Sequence, residues 1–165
     1  FNRLTTWQEA TLTLSTKNIA SVIVNFDQFP ERIKFYTRKT VRPLVVILID
    51  QINDLHIFSN ITSHVDMSYP VWLIIFVGDK PASKACDFCE RPWSNLLHLK
   101  FNSEVLVSCC ESRIIDEWWF KRGDKVNKRQ RAELVDERLM WLSNESLYAR
   151  RPWVEDPEFR VAIVK

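Results

Sequence analysis

The sequence predicts a layered α/β domain built on a mostly parallel sheet, because short apolar runs alternate with segments of helical spacing. The apolar runs are rich in β-branched residues, roughly four to eight residues long, and bounded by Pro, Asp, Asn or Gly. With 165 residues, 46% of them hydrophobic, the chain is long enough to bury the core of one domain.

Four of the apolar runs are predicted to be strands buried on both faces of the sheet. They are residues 20–26 (ASVIVNF), 43–49 (PLVVILI), 71–77 (VWLIIFV) and 104–108 (EVLVS). A fifth run, residues 96–101 (LLHLKF), alternates apolar and polar residues more and is predicted to be an edge strand.

Helices are predicted between these strands. Residues 29–39 begin with Pro30 in the first turn and Glu31 at the positive end of the helix. Residues 51–63 are ambiguous, with apolar residues three apart. Two further segments show helical spacing: residues 112–122, with a serine cap and a stripe of Ile114, Ile115, Trp118 and Trp119, and residues 128–148, with Leu134, Val135, Leu139 and Leu142.

The pattern divides the chain into two units. Residues 1–151 form the α/β domain, and residues 152–165 form a linker followed by a strand at 159–164 (FRVAIV), which begins a second unit. The chain starts at Phe1 rather than Met and shows no signal peptide, so it is interpreted as a piece of something longer.

Composition argues against several classes of function. The net charge of +2 is too small to indicate nucleic acid as a partner. Only two glycines occur, Gly78 and Gly123, whereas a loop that cradles phosphate needs several close together. No cofactor is predicted. The longest apolar run, residues 69–77, is too short to span a bilayer.

Catalytic signatures are weak. His56, His64 and His98 form none of the known catalytic histidine motifs and are interpreted as surface or core residues. Asp50, at the end of the run 43–49, is the most enzyme-like carboxylate, although capping the next helix is the commoner role there. The basic run 121–131 is interpreted as a solvated turn and helix face rather than an anion-binding patch.

All four cysteines lie within residues 86–110, and three interpretations are possible. Zinc is disfavoured because the adjacent Cys109 and Cys110, on a strand, would point to opposite faces. A redox pair is disfavoured because no helical pattern follows Cys89. A disulfide framework in an oxidising compartment is favoured, with a loop that carries Cys86 and Cys89 fastened to the end of the strand that carries Cys109. Three connectivities are open.

Two glycosylation sequons agree with secretion, at Asn60 and Asn144. Asn60 is predicted to lie in an exposed loop and Asn144 near a helix end. Trp118 and Trp119, placed on a helix, would diverge by about 100°. One ring would then lie in the core, while the other would either cover an interdomain seam or protrude as a candidate subunit contact.

Three pieces of the sequence together resemble the extracellular N-terminal region of the chemosensory ionotropic receptors of insects, which are relatives of the ionotropic glutamate receptors. The first is a Cys-x-x-Pro segment that leads to a "VLVxC" strand, residues 89–109. The second is an acidic turn followed by an "EW-aromatic" segment, residues 111–119. The third is an "SLYxRR" step, residues 146–151, which precedes a strand that resembles the opening of the ligand-binding domain.

The resemblance implies half of a lobe of periplasmic-binding-protein type, on the extracellular side of a cell membrane. It implies a non-catalytic part of a ligand-gated cation channel that detects odorants or tastants, acting in folding, assembly and trafficking with other receptor subunits as hetero-oligomeric partners. The small-molecule ligand would bind a domain absent from this chain. The resemblance also favours a disulfide between Cys89 and Cys109 and leaves Cys86 and Cys110 unassigned.

The link at residues 152–158 departs from the family pattern, because it contains no glycine. The alternative reading is a soluble intracellular α/β enzyme or binding domain with free thiols.

Overall fold

The computed structural model describes residues 3–39, 41–78, 83–121 and 125–151. The predicted strand at 159–164 and the predicted second unit from residue 152 lie outside the described residues. The described elements, in chain order, are α1 (Arg3–Thr16), α2 (Phe29–Arg38), β1 (Leu44–Ile49), α3 (Ile52–Thr62), β2 (Val71–Phe76), α4 (Lys84–Glu90), β3 (Glu104–Cys109), β4 (Ile114–Phe120), β5 (Val126–Val135), β6 (Arg138–Trp141) and α5 (Leu147–Arg150).

The predicted layered α/β fold is confirmed. Six strands form one sheet in the order β1-β2-β3-β4-β5-β6. The first three are parallel, and each following strand is antiparallel to its predecessor. Parallel neighbours need a crossover connection, and α3 and α4 supply the two that are required. None of the helices in the described ranges is long and apolar enough to cross a membrane.

The core lies on one face of the parallel strands. Alternate residues of β2, namely Trp72, Ile74 and Phe76, are fully buried, whereas the residues between them are only half-buried. Strands β1 and β3 show the same alternation. Because neighbouring side chains on a strand point to opposite faces, the helices cover one face of the sheet more completely than the other.

The predicted strand at residues 20–26 is wrong, and an N-terminal helix, α1, was not predicted. Residues 20–25 have no regular structure. Val24 and Phe26 instead pack against the core, and the Phe26 ring stacks on Phe58 of α3 with centroids 6.2 Å apart. The apolar residues of this run are therefore partly buried against a helix, without a hydrogen-bonded strand neighbour.

The predicted edge strand at residues 96–101 is also wrong. The Asn95 side chain binds both backbone groups of Leu99: its Nδ2 donates to the Leu99 carbonyl at 3.0 Å, and its Oδ1 accepts from the Leu99 amide at 2.9 Å. His98 takes a positive φ of 50°. An asparagine that bonds its own neighbouring backbone competes with the strand ladder, so the segment forms a loop.

The helix predicted at residues 112–122 is strand β4. Five of its seven residues, Ile114–Phe120, are β-branched or aromatic, which favours a strand, and β4 pairs on both sides, with β3 and with β5. Glu117 and Trp118 are both buried although they point to opposite faces. Only a strand covered on both faces can bury two neighbours in this way.

The helix predicted at residues 128–148 is a β-hairpin, β5 and β6, followed by the single-turn helix α5. The hairpin turns at Asp136 and Glu137, which both have positive φ, 47° and 61°. Two central residues of positive φ match the tight turn that suits twisted strands, which usually contains Asn-Gly or Asp-Gly. The sequence has neither dipeptide at this turn, and its leucines have the spacing expected of a helix, so the pattern predicts a helix instead.

Candidate functional site

The two CxxC cysteines lie on a helix rather than in the predicted loop. Helix α4 begins after Ser83, whose Oγ accepts a hydrogen bond from the Cys86 amide at 3.4 Å. Cys86 and Cys89 are three residues apart, so both side chains lie on one face of the helix. That face points at the end of β3.

The two adjacent cysteines at the end of β3 are both bonded to cysteines of α4. Cys109 is the last residue of the strand, and Cys110 has a positive φ of 41°. The strand alternation that would send the two side chains to opposite faces ends at Cys109, and the turn at Cys110 brings its side chain back toward α4. The two side chains therefore do not point to opposite faces, and the argument that strand alternation gave against zinc does not apply. The described residues nevertheless contain no group of side chains that could hold a metal ion.

Two disulfides result, and we call them the disulfide pair. Cys89 is bonded to Cys109 with the Cα atoms 5.6 Å apart, as the resemblance implies. Cys86 is bonded to Cys110 with the Cα atoms 5.9 Å apart. No cysteine is free. Two disulfides are compatible with an extracellular location.

Strand β5 holds the same helix from another side. The Lys128 Nζ donates to the carbonyl of Glu90 at 2.7 Å and to that of Cys89 at 3.4 Å, at the C-terminal end of α4. A cation there bonds carbonyl groups that the helix leaves unsatisfied. Nζ also lies 5.6 Å from the centre of the Trp118 ring. Helix α4 is therefore fixed by sulfur to β3 and by charge to β5.

On the other face of β4, a buried carboxylate joins the last described residues of the chain to the sheet. Glu117 is 1% exposed, and its side chain accepts from Arg150 Nε at 2.8 Å and from Arg150 Nη2 at 3.0 Å. It also accepts from Arg151 Nη2 at 2.6 Å. Such charge-assisted bonds are stronger than neutral ones. We call Glu117, Arg150 and Arg151 the exit cluster.

Arg151 is the more deeply held of the two arginines. Its Nη2 donates to the Ser103 carbonyl at 3.0 Å, and its Nη1 donates to the Phe101 carbonyl. Its guanidinium lies 5.0 Å from the centre of the Trp119 ring. Its Nε is buried and has no hydrogen-bond partner in the described part of the chain. The Arg151 side chain thus connects residue 151 to the loop before β3 and to β4.

The charges of the exit cluster support one another. Burial by itself would raise the pKa of Glu117, but the hydrogen bond from Arg150 and the charges of both arginines outweigh it and hold the pKa below the ordinary value of 4.5. The hydrogen bond to Glu117 raises the pKa of Arg150, whereas burial lowers that of Arg151. All three groups are charged near neutral pH, and the cluster carries one net positive charge.

The two tryptophans have different environments. Trp118 is fully buried and packs against Phe76 and Phe88, with ring centroids 6.5 and 6.2 Å away. Trp119 is half-buried beneath Arg151 on the opposite face. The two rings lie on strand β4 and not on the predicted helix, and Trp118 is a core residue. Trp119 as a subunit contact stays a prediction.

Replacing Trp118 with Ala is expected to lower the free energy of unfolding by about 3 to 5 kcal/mol, because it empties the centre of the aromatic core. Trp119→Ala removes a half-exposed ring and should cost roughly 1 to 2 kcal/mol. Chemical unfolding followed by circular dichroism compares the two variants. Equal losses would contradict the placement of the two rings.

Other candidate residues do not converge on a site. Helix α3 is capped by Gln51 rather than by Asp50, and the Asp54 carboxylate accepts from the amides of Asp50 and Gln51 at its start. His56 and His64 are exposed. His98 is exposed too, with its Nδ1 3.0 Å from the Thr62 hydroxyl.

A groove of about 290 Å³ lies between α2 and the loop after α3, and His64 is among the residues that line it. Its carboxylate, Asp66, is bound by Lys100 at 2.8 Å, and this contact lowers the pKa of Asp66. Of the basic side chains in the groove, Lys34 is paired with Glu31 at 2.9 Å. The groove therefore presents no group of side chains aimed at a common ligand.

The described part of the basic run 121–131 is a strand rather than a turn and helix face. Lys128 bonds to α4, as above. Arg129 donates to the Arg150 carbonyl at 3.1 Å, next to the exit cluster. Arg131 donates to the Ser143 hydroxyl at 3.1 Å and lies 5.2 Å from the centre of the Trp141 ring. These cations make tertiary contacts.

The exit cluster is the feature that sequence reasoning missed. Glu117, Arg150 and Arg151 were noticed only as parts of motifs. A carboxylate between bulky apolar residues in the strand sequence IIDEWWF was the available signal, because a glutamate there needs a cationic partner. The helical interpretation of this segment hid that signal. Comparison of the chain with protein-family models, with curated proteins and with solved structures finds no match in any of the three.

Proposed function

We propose that this chain is the non-catalytic extracellular N-terminal portion of a chemosensory ligand-gated cation channel, acting in folding, assembly and trafficking. The proposal rests on the resemblance to insect ionotropic receptors and on one observation. Two of the motifs that carry the resemblance, the "EW-aromatic" segment and the "SLYxRR" step, meet in the exit cluster. Residues 33 and 34 positions apart in sequence form one buried ion-pair network.

This contact gives the motifs a physical role. The "RR" residues are the last described residues before the segment that resembles the opening of a ligand-binding domain. Arg151 contacts two elements at once: Glu117 and the Trp119 ring on β4, and the backbone at residues 101–103 before β3. These contacts fix residue 151, the last described residue, against the sheet. In a receptor, that position would set how the N-terminal portion is joined to the ligand-binding domain.

The disulfide pair supports an extracellular rather than an intracellular protein, since disulfides persist in oxidising compartments. Thiol titration separates the two readings. Chain purified from a secretory compartment and denatured without reductant should show no titratable thiol, and four after reduction. Four thiols before reduction would favour the alternative, an intracellular α/β enzyme or binding domain.

The membrane assignment needs the full-length protein. Cells that express it with an epitope tag at the N-terminus of this portion should be labelled by antibody without permeabilisation. The variant Arg151→Met should reduce surface labelling more than the control Arg42→Met, whose ion pair with Glu104 is partly exposed. Labelling only after permeabilisation would contradict the proposal, as would saturable binding of odorants or tastants to the isolated 165-residue chain.

The two sequons are expected to differ in occupancy. Asn60 lies within α3, and the acceptor Thr62 is 1% exposed, with its hydroxyl donating to the Ser59 carbonyl at 3.0 Å. Asn144 is exposed, in the irregular segment between β6 and α5. An accessible, irregular acceptor is more readily modified in a folded chain.

We therefore expect Asn144→Gln to abolish most of the mobility shift that glycosidase treatment causes in secreted chain. Asn60→Gln should leave that shift nearly unchanged. The reverse result would show that modification precedes the folding of α3.

A further inference from the structure

Among the described residues, no strand lies beside the outer edge of β6. In the described sheet β6 is the terminal strand, with β5 as its only neighbour. The Leu142 amide donates to the Arg131 carbonyl of β5 at 3.1 Å. In an antiparallel ladder, the backbone groups of successive residues alternate between the two sides. Arg138, Met140 and Leu142 thus bond to β5, and the backbone groups of Leu139 and Trp141 point outward.

The side chains around this edge are apolar and exposed. All four residues of β6 are exposed. Large hydrophobic side chains exposed by 39 to 58% cluster on β6, on the neighbouring end of β5 and at the start of β4: Ile114, Leu134, Val135, Leu139, Met140, Trp141 and Leu142. Because neighbouring side chains on a strand point to opposite faces, Leu139 and Trp141 lie on one face of the sheet and Met140 and Leu142 on the other, so the edge is apolar on both faces.

The edge also lacks the features that usually prevent strand pairing. Proteins protect open edges with lysine, proline, bulges or inward-pointing charges. Between Leu139 and Leu142 the sequence is LMWL, with none of these residues. The ladder between β5 and β6 is regular over all four pairs, from Ala132 with Trp141 to Val135 with Arg138. The edge is thus a regular, apolar template for another strand.

We propose that this edge pairs with the same edge of a second copy of the chain, as an antiparallel dimer with its two-fold axis at Met140. Leu139 of the first copy then faces Trp141 of the second, and Trp141 of the first copy faces Leu139 of the second. Because these are the two residues whose backbone groups point outward, each of the two pairs forms two hydrogen bonds, four in all. The two six-stranded sheets join into one.

The occupant is a second copy because the edge is complementary to itself. With the two-fold axis at Met140, Leu139 of each copy pairs with Trp141 of the other, so neither of these residues is left with unpaired outward backbone groups. The apolar side chains of β6 on each copy then adjoin their counterparts on both faces of the joined sheet. The inference does not depend on the receptor proposal, since it uses only β4, β5 and β6.

The first test removes one outward hydrogen-bond donor. Leu139→Pro deletes an amide hydrogen that the ladder with β5 does not use, and proline is tolerated on such an edge. Leu139→Ala is the matched control, because it shortens the side chain but keeps the amide. Sedimentation of the chain made in bacterial periplasm, without glycans, should show a dimer dissociation constant at least about tenfold larger for the proline variant.

The second test reads the register. Met140 faces its own counterpart across the axis in a non-hydrogen-bonded pair, with Cα atoms about 4.5 Å apart, which is within disulfide range. Met140→Cys should therefore form a covalent dimer on non-reducing gels. Leu142→Cys is the control, since it lies opposite Arg138 of the other copy, two residues from the axis, and should not cross-link.

Concentration-dependent dimers with this pattern support the inference. A monomer at every soluble concentration, equal cross-linking from both cysteine positions, or equal dissociation constants for the proline and alanine variants would overturn it. A monomeric chain that floats with neutral phospholipid vesicles would assign the edge to a membrane surface instead and would likewise overturn the dimer. A glycan at Asn144 would lie beside the edge, so glycosylated chain should dimerise less.

Discussion

Glu117→Gln is expected to lower the free energy of unfolding by about 3 to 5 kcal/mol, because it leaves two buried arginines without the charge that compensates them. The carboxylate and the Arg151 side chain are both 1% exposed, and their closest atoms are 2.6 Å apart. Denaturant unfolding with the disulfides intact measures the change.

The matched control for this variant is Glu104→Gln. Glu104 pairs with Arg42 at 2.8 Å, but these side chains are 30% and 46% exposed, so solvent screens the pair. This variant should lose less than about 1 kcal/mol. Similar losses in the two variants would show that the exit cluster is no more than a surface ion pair.

The same carboxylate predicts a pH dependence. Its pKa is held below 4.5 in the folded chain, so its contribution to stability is complete above the pKa of the unfolded chain. That contribution falls as pH drops through the lower, folded pKa. Wild type should therefore lose stability below about pH 4 more steeply than Glu117→Gln. Parallel curves for the two proteins would contradict the shift.

The second large effect is expected from the disulfide that lies deeper in the core. The two disulfides span 20 and 24 residues, so their entropic contributions are nearly equal, about 3 kcal/mol each. Cys89 is fully buried and Cys109 is 8% exposed, both within the hydrophobic core. Cys86 is also buried, at 2% exposed, but its partner Cys110 is only half-buried at the edge of the core. The double variant Cys89→Ala with Cys109→Ala should thus lose the disulfide contribution and core packing as well.

Cys86→Ala with Cys110→Ala is the control, since it opens a loop of similar length. It should lose about 3 kcal/mol. The core pair should exceed it by about 1 kcal/mol, because both of its cysteines are buried whereas Cys110 of the control pair is only half-buried. Thermal and chemical unfolding of both double variants make the comparison. A larger loss from the Cys86 and Cys110 variant would contradict the assigned burial.

The elements that the sequence predicted well are those whose signal is local. Strand β1 lies within the predicted run 43–49, β2 within the run 71–77, and β3 overlaps the run 104–108. Each is a continuous apolar run, which a strand buried in a parallel sheet requires. Helix α2, with Pro30 in its first turn, was equally well marked. In these segments local propensity and tertiary burial agree.

The misassigned elements are those whose structure depends on distant partners. β4 is a strand because β3 and β5 pair with it, and the same residues also fit a helical stripe. The hairpin turns without glycine, at Asp136 and Glu137. Pairing of adjacent cysteines with α4 depends on the backbone turn at Cys110, which no spacing rule reveals. The exit cluster joins residues more than 30 positions apart, so only the fold could assemble it.

The most direct test of the account is a map of the four cysteines in chain purified from a secretory compartment. Cys109 and Cys110 are adjacent, so digestion leaves both in the same peptide. Partial reduction with stepwise alkylation and mass spectrometry is therefore required. The account predicts Cys89 joined to Cys109, Cys86 joined to Cys110, and no free thiol. Free thiols, or Cys86 joined to Cys109, would contradict it.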